Sequence, residues 1–196
     1  MRTLEREITR KSIHFLGILY IPLYLYFGKD ITLLVVGFLT MLSFLIEVLR
    51  LKFGIDIVPA FVLSPYEIRG WGAHLYFGVA SVLLTTLLSF ESAIVGVTVG
   101  CVGDGFAGIF KSLRTTGLLN AENLGEYLPS LAMFVSSFIV LYFVSMLAVS
   151  LDLRVLMISC IAGTIIERKA IKYRDYYLND NLTVPLVSGL FYQLLS

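Results

Sequence analysis

The chain has 196 residues, 58% of them hydrophobic, with 15 basic and 14 acidic side chains, a formal net charge of +1 and a mean hydropathy of +0.87. That apolar fraction exceeds the roughly half-apolar usage of water-soluble domains. A balanced charge without a basic tail or stripe argues against nucleic acid as a partner.

The first eleven residues, MRTLEREITRK, alternate acids and bases, and no small-residue cleavage site follows the first apolar run. They read as a retained cytoplasmic end rather than a signal peptide. Seven apolar stretches then follow, over residues 13–27, 31–50, 71–90, 92–110, 130–150, 153–167 and 182–195. Several are shorter than the ~20 residues that span a hydrocarbon core, so they need burial in a bundle or amphipathic flanks. Turn chemistry separates them: Gly28-Lys29-Asp30, Gly54-Ile55-Asp56 with Pro59 and Pro65, Thr116-Gly117, and Asn179-Asp180-Asn181. The two cysteines, Cys101 and Cys160, lie within apolar runs and read as reduced, structural residues. No repeat or linker divides the chain. The expected fold is all-α: a single integral membrane domain over residues 1–196, a polytopic bundle of about seven transmembrane helices.

Charge then orients the bundle. With the N-terminus inside, Arg2, Arg6, Arg10, Lys11, Arg50, Lys52, Arg69, Lys111, Arg114, Arg168, Lys169, Lys172 and Arg174 all fall on the cytoplasmic side, leaving only Lys29 and Arg154 outside. Cytoplasmic loops carry such an excess of Lys and Arg. The expected location is a multi-pass membrane protein, in the plasma membrane if the source is a prokaryote, with its chemistry facing the cytoplasm.

The residue most suggestive of chemistry is Asp104, in Gly103-Asp104-Gly105-Phe106-Ala107-Gly108. A carboxylate inside an apolar segment is costly unless it meets a cation or a wet cavity. Gly103 and Gly105 beside it would permit unusual backbone angles and close approach of a phosphate. The same glycines also suit close helix packing. Upstream, Glu7, Arg10, Lys11 and His14 share one helical face, offering cations for phosphate and a titratable imidazole, or a basic face for anionic lipid headgroups. Glu47 and Arg50 are one helical turn apart. Trp71, His74 and Tyr76 open the third stretch at the depth of interfacial anchors. Near the C-terminus Glu167 closes one stretch, and Asp180-Asn181-Leu182-Thr183-Val184-Pro185 opens the last, as a helix cap, a hard-cation site with Asp104, or both.

In this order the residues resemble the polyprenol kinase family, which comprises dolichol kinase, phytol kinase and the CTP-dependent diacylglycerol kinases. Glu7-x-x-Arg10-Lys11-x-x-His14 resembles the family's N-terminal signature, and Glu47-x-x-Arg50 its second charged pair. Glu67 before Gly70-Trp71-Gly72-Ala73 is similar to its next stretch. The Gly103–Gly108 run resembles its nucleotide-site motif, and Ser130-Leu131-Ala132-Met133-Phe134, Glu167 and Asp180–Pro185 complete the series. One element departs: where the family carries Lys-Ser/Thr-x-Glu-Gly-Ser, this chain reads Asn123-Leu124-Gly125-Glu126-Tyr127-Leu128-Pro129-Ser130. The missing lysine leaves Lys111 or Arg114 to supply charge, and Glu126 to stand for the motif's Glu.

The resemblance implies transfer of the terminal phosphate of CTP to the hydroxyl of a membrane lipid alcohol (polyprenol, isoprenoid alcohol or diacylglycerol) with Mg²⁺ or another divalent cation. It implies Asp104, Glu167 and Asp180 as catalytic residues, with Asp104 and Asp180 on the metal. Arg10, Lys11, His14, Gly103, Gly105, Lys111 and Asn181 would bind nucleotide and phosphate, supported by Glu7, Glu47, Arg50 and Glu67. Cytidylyl or phosphatidyl transfer fits less well, since Cys101 stands where the CDP-alcohol phosphotransferases need an aspartate. The alternative from another class is a small transporter or non-catalytic membrane subunit with Asp104 as an ion site.

Overall fold

A computed structural model describes residues 4–55, 57–59, 63, 67–68, 70–119, 125–169, 172–173 and 176–196. These form α1 (Leu4–Phe15), a 3₁₀ turn (Leu16–Leu19), α2 (Tyr20–Phe53), α3 (Ala73–Leu87), α4 (Phe90–Thr98), a π-helical turn (Val99–Gly103), α5 (Asp104–Thr115), α6 (Leu128–Leu147), α7 (Leu153–Lys169) and α8 (Asp180–Leu195). A minimal antiparallel pairing of Lys172–Tyr173 with Tyr176–Tyr177 lies between α7 and α8. The fold is therefore helical, as the composition predicts.

Among the described residues three helical stretches are long and apolar enough to cross a membrane: Leu4–Phe53, Phe90–Thr115 and Leu128–Leu147. Ala73–Leu87 is apolar but only 15 residues long, short of the ~20 that span a bilayer core. The outer surface carries Leu34, Phe38, Met41 and Leu45 on α2, Phe143 and Met146 on α6, and Met157, Ile161 and Ile165 on α7, all exposed. So much contiguous apolar surface suits lipid rather than water.

The first of these stretches does not run straight. Gly28 takes φ 75°, ψ −177° inside α2, a left-handed φ that a Cβ would oppose. Before the kink the chain runs alongside α3: Gly17 abuts Phe77, and the Tyr20 hydroxyl lies 2.8 Å from Thr85 Oγ1. After it the order reverses, with Lys29 donating to Thr86 O (3.0 Å), Thr40 against Gly78, and Glu47 Oε2 accepting from the Gly72 N–H (3.2 Å). The expected stretches 13–27 and 31–50 are thus the two limbs of a hairpin whose turn is Gly28.

The axis of the bundle is the rod from α4 through the π turn into α5. Of its apolar window 83% is buried, against 11% and 17% for the other two long stretches. Small residues let neighbours approach: Gly96 and Gly100 meet Pro185 of α8, Gly103 meets Ser137 of α6, and Gly163 of α7 meets Ser188. Close packing of this kind drives helix association where lipid tails are as apolar as the side chains. Leu84, Ile94, Met133, Leu141, Leu156 and Val184, each fully buried, fill the remaining space.

Candidate functional site

The π turn, Val99–Gly103, ends immediately before Asp104. Such a turn rotates the residues that follow it relative to a regular helix, and π turns concentrate at functional sites. Asp104 is 4% exposed, and its Oδ2 accepts a 2.6 Å hydrogen bond from Lys11 Nζ, itself buried. His14 Nε2 stands 3.4 Å from the same oxygen and 3.0 Å from Gly100 O. Gly108, one turn past Asp104, makes room for the Lys11 stem, because a Cβ there would meet Lys11 Cε and stand 3.0 Å from its Nζ.

Around this pair opens a cleft of about 470 Å³. It gathers eight of the expected residues, Glu7, Arg10, Lys11, Glu67, Asp104, Lys111, Asp180 and Asn181, from four separate parts of the chain. Sequence reasoning missed others on its wall, including Ser112, Thr115 and Asn179. Arg10 is held by Glu7 at 2.6 Å, and Lys111 donates to Glu167. The helix cap is Asn179, one residue before the expected position: its Oδ1 accepts from the Asn181 backbone N–H and side-chain amide, both at 3.0 Å. Asp180 is thereby spared the capping role, though its Oδ1 also accepts from Asn181, at 2.9 and 2.8 Å. A polar residue ahead of an Asp-Asn pair was the available signal for Asn179.

Other expected residues lie off the cleft wall. Glu47 and Arg50 are buried beneath it: Arg50 donates to Glu47, to Ile68 O (3.0 Å) and to Gly70 O (2.6 Å). That fork fixes the segment carrying Glu67, whose Oε1 accepts from the Ala73 N–H at 2.9 Å. His14 lines an adjoining cavity of about 150 Å³ with His74 and Phe77. Gly103 and Gly105 do not form a phosphate cradle. Gly103 has helical φ −61°, ψ −56° and packs on Ser137, while Gly105 packs on Phe15. Their smallness serves helix contact. Glu126 does not reach the cleft either; it pairs with Arg168 at 3.0 Å, and that guanidinium also sits 4.3 Å over the Tyr127 ring. Asn123 and Leu124 of the departing element lie outside the described residues, as do Arg2, Arg69 and Arg174.

The electrostatics of the wall define what it can accept. Arg10, Lys11 and Lys111 face Glu7, Glu67, Asp104 and Asp180, and each of these cations already has a carboxylate partner. A polyanion alone would meet little net positive charge here. Asp180, ahead of the last apolar stretch, is held above the usual carboxylate range by burial and then by the neighbouring Asp104 charge. Among the described residues no group of three or more His, Cys, Asp or Glu side chains is spaced to cage a metal. Mg²⁺ in general needs no such cage, being held by one or two carboxylates together with waters and substrate phosphates.

No protein-family model, curated protein or solved structure matches the chain.

Proposed function

We propose that the chain is a membrane-embedded kinase that transfers the terminal phosphate of a nucleoside triphosphate, CTP by the resemblance, to the hydroxyl of a lipid alcohol. The observation that carries this reading is the convergence of Arg10, Lys11, Asp104, Lys111, Asp180 and Asn181 on one 470 Å³ cleft. A packing motif or a set of interfacial anchors has no reason to converge in this way. Phosphoryl transfer is mostly positioning and charge neutralisation, which is the chemistry such a wall provides.

In this reading Asp180 and Asn181 would hold Mg²⁺, which when bound would neutralise charge on the phosphate oxygens. Arg10 and Lys111 bind phosphate, exchanging part of their contact with Glu7 and Glu167 for it. Asp104, its Oδ2 fixed by Lys11, takes the proton of the lipid hydroxyl as the new O–P bond forms and the nucleoside diphosphate leaves. Asn179 and Asn181 hold the start of α8 rigid. Glu47 and Arg50 act indirectly, by positioning the Glu67 segment.

The proposal includes about seven crossings with the cleft facing the cytoplasm. The Gly28 hairpin supports it by dividing the helical stretch Leu4–Phe53 into two limbs, matching the two apolar runs of the sequence. Orientation draws support from Arg10, Lys11 and Lys111 lining the cleft while Lys29 bonds Thr86 at the opposite end of α3.

The test incubates the purified chain in nanodiscs with Mg²⁺, γ-labelled CTP or ATP, and a panel of lipid alcohols. Label appearing in one lipid class with one nucleotide is expected. No label in any lipid, with Asp104→Asn indistinguishable from wild type in every assay, would sink the reading.

A further inference from the structure

Among the described residues, the cleft shares walls with further cavities in series. The 150 Å³ cavity shares Arg10, Lys11, Glu67 and Asn181 with it. On its other side the same cavity shares Gly17, His74 and Phe77 with an apolar groove of about 460 Å³. That groove runs between the limbs of the Gly28 hairpin, walled by Leu19 and Leu23 on the first limb and Val36 and Leu39 on the second, with α3 as its floor. Leu19 and Leu39 are exposed, so the groove opens on the lipid-facing side of the bundle.

We infer that this groove holds the hydrocarbon chain of a single-chain lipid alcohol, entering sideways from the bilayer, with its hydroxyl passing through the small cavity toward Asp104. The inference rests on the kinase reading and deepens it. Three observations choose the occupant. The groove is apolar and continuous with the polar cleft, which suits a molecule with a long apolar tail and one polar end. The 3₁₀ turn at Leu16–Leu19 interrupts the first limb beside the connecting cavity, so a regular helix does not close it off. The connecting cavity has about a third of the groove's volume and is lined by the rings of His14, His74 and Phe77. One chain end bearing a primary hydroxyl passes such a neck. A glycerol carrying two ester-linked chains has both branches within a few bonds of its hydroxyl and would have to fit both there.

The test uses a long-chain primary alcohol with a diazirine near the tail end, in phosphatidylcholine nanodiscs holding the full chain. Photolabelling followed by peptide mapping should concentrate on residues 19–23 and 35–40. Unlabelled single-chain alcohol should compete, while diacylglycerol competes weakly and phosphatidylcholine not at all. Leu39→Trp fills the groove far from the polar cleft. It should cut labelling and raise KM for the long-chain alcohol about tenfold, with KM for the nucleotide unchanged, whereas Leu45→Trp, on the same limb but outside the groove, should change neither. Even labelling of α6 and α7, competition by phosphatidylcholine, or equal effects of the two tryptophans would overturn the groove. Equal competition by diacylglycerol would overturn the single-chain assignment. Labelling in the expected pattern without any phosphate transfer would retain the groove and remove the kinase; robust transfer with labelling elsewhere would do the reverse.

Discussion

Lys11 and Asp104, separated by 93 positions in sequence, meet in a 2.6 Å ion pair whose side chains are 6% and 5% exposed. Taking one partner away leaves the other charge buried and uncompensated, which costs about 3–5 kcal/mol. Lys11→Met and Asp104→Asn should therefore each lose phosphate transfer, and Lys11→Met should also lower the thermal midpoint in detergent. The double variant Lys11→Met/Asp104→Leu should recover most of that stability and none of the activity. Recovery of activity in the double variant would show the pair to be structural only.

Gly108 tests the same pair from the opposite side. A methyl at this position occupies the space of the Lys11 stem, so Gly108→Ala must move the ammonium relative to Asp104. Overpacking of this kind costs about 1–3 kcal/mol. The expected signature is a fall in kcat/KM of more than tenfold at modest loss of stability, about 1.4 kcal/mol corresponding to each factor of ten. Unchanged kinetics would mean that the Lys11 position does not matter to transfer.

Asp180 gives a prediction with a sign in pH. Its carboxyl is held above the ordinary range, by burial first and by Asp104 second. The folded protein therefore binds the proton more tightly than the unfolded chain does. The associated stability is present below the unfolded pKa and is lost as pH rises through the raised folded value. Asp180→Asn, which cannot ionise, should be the more stable protein at neutral pH and should lose that advantage in acid. It should also transfer phosphate at least about 100-fold more slowly. Mg²⁺ with nucleotide should narrow the stability gap by stabilising wild type alone. A variant less stable than wild type at neutral pH would contradict this account of the site.

Arg50 is a positioning residue, and the conservative variant exposes that role. Arg50→Lys keeps the charge but cannot fork among Glu47, Ile68 O and Gly70 O as the guanidinium does. The Glu67 segment should loosen, raising KM for the nucleotide several-fold while kcat changes less. An equal fall in kcat alone would place Arg50 in the chemistry itself.

The helical class and many of the cleft residues were legible in the sequence because intramembrane charge is costly and hydropathy is periodic. Asp104, Lys111 and Asp180 announced themselves as charges in or beside apolar runs. The Gly28 turn was readable from Gly28-Lys29-Asp30. What was not legible depends on how helices rotate against each other. The pairing of Lys11 with Asp104 needs the π turn and the gap at Gly108, neither of which has a local signature. Gly103 and Gly105 suggested a phosphate loop because glycine serves both close packing and backbone freedom, and only the neighbours Ser137 and Phe15 distinguish the two. Likewise Asn179 and Asp180 compete for one capping position, and the backbone at Asn179, φ −67°, ψ 131°, decides it.

The most direct measurement of the central claim is the balance of products when the chain is given Mg²⁺, γ-labelled CTP and its lipid alcohol. One lipid monophosphate should form for each cytidine diphosphate released, and both should vanish together in Asp104→Asn. Release of diphosphate with free inorganic phosphate and no labelled lipid, or lipid labelling that survives Asp104→Asn unchanged, would contradict it.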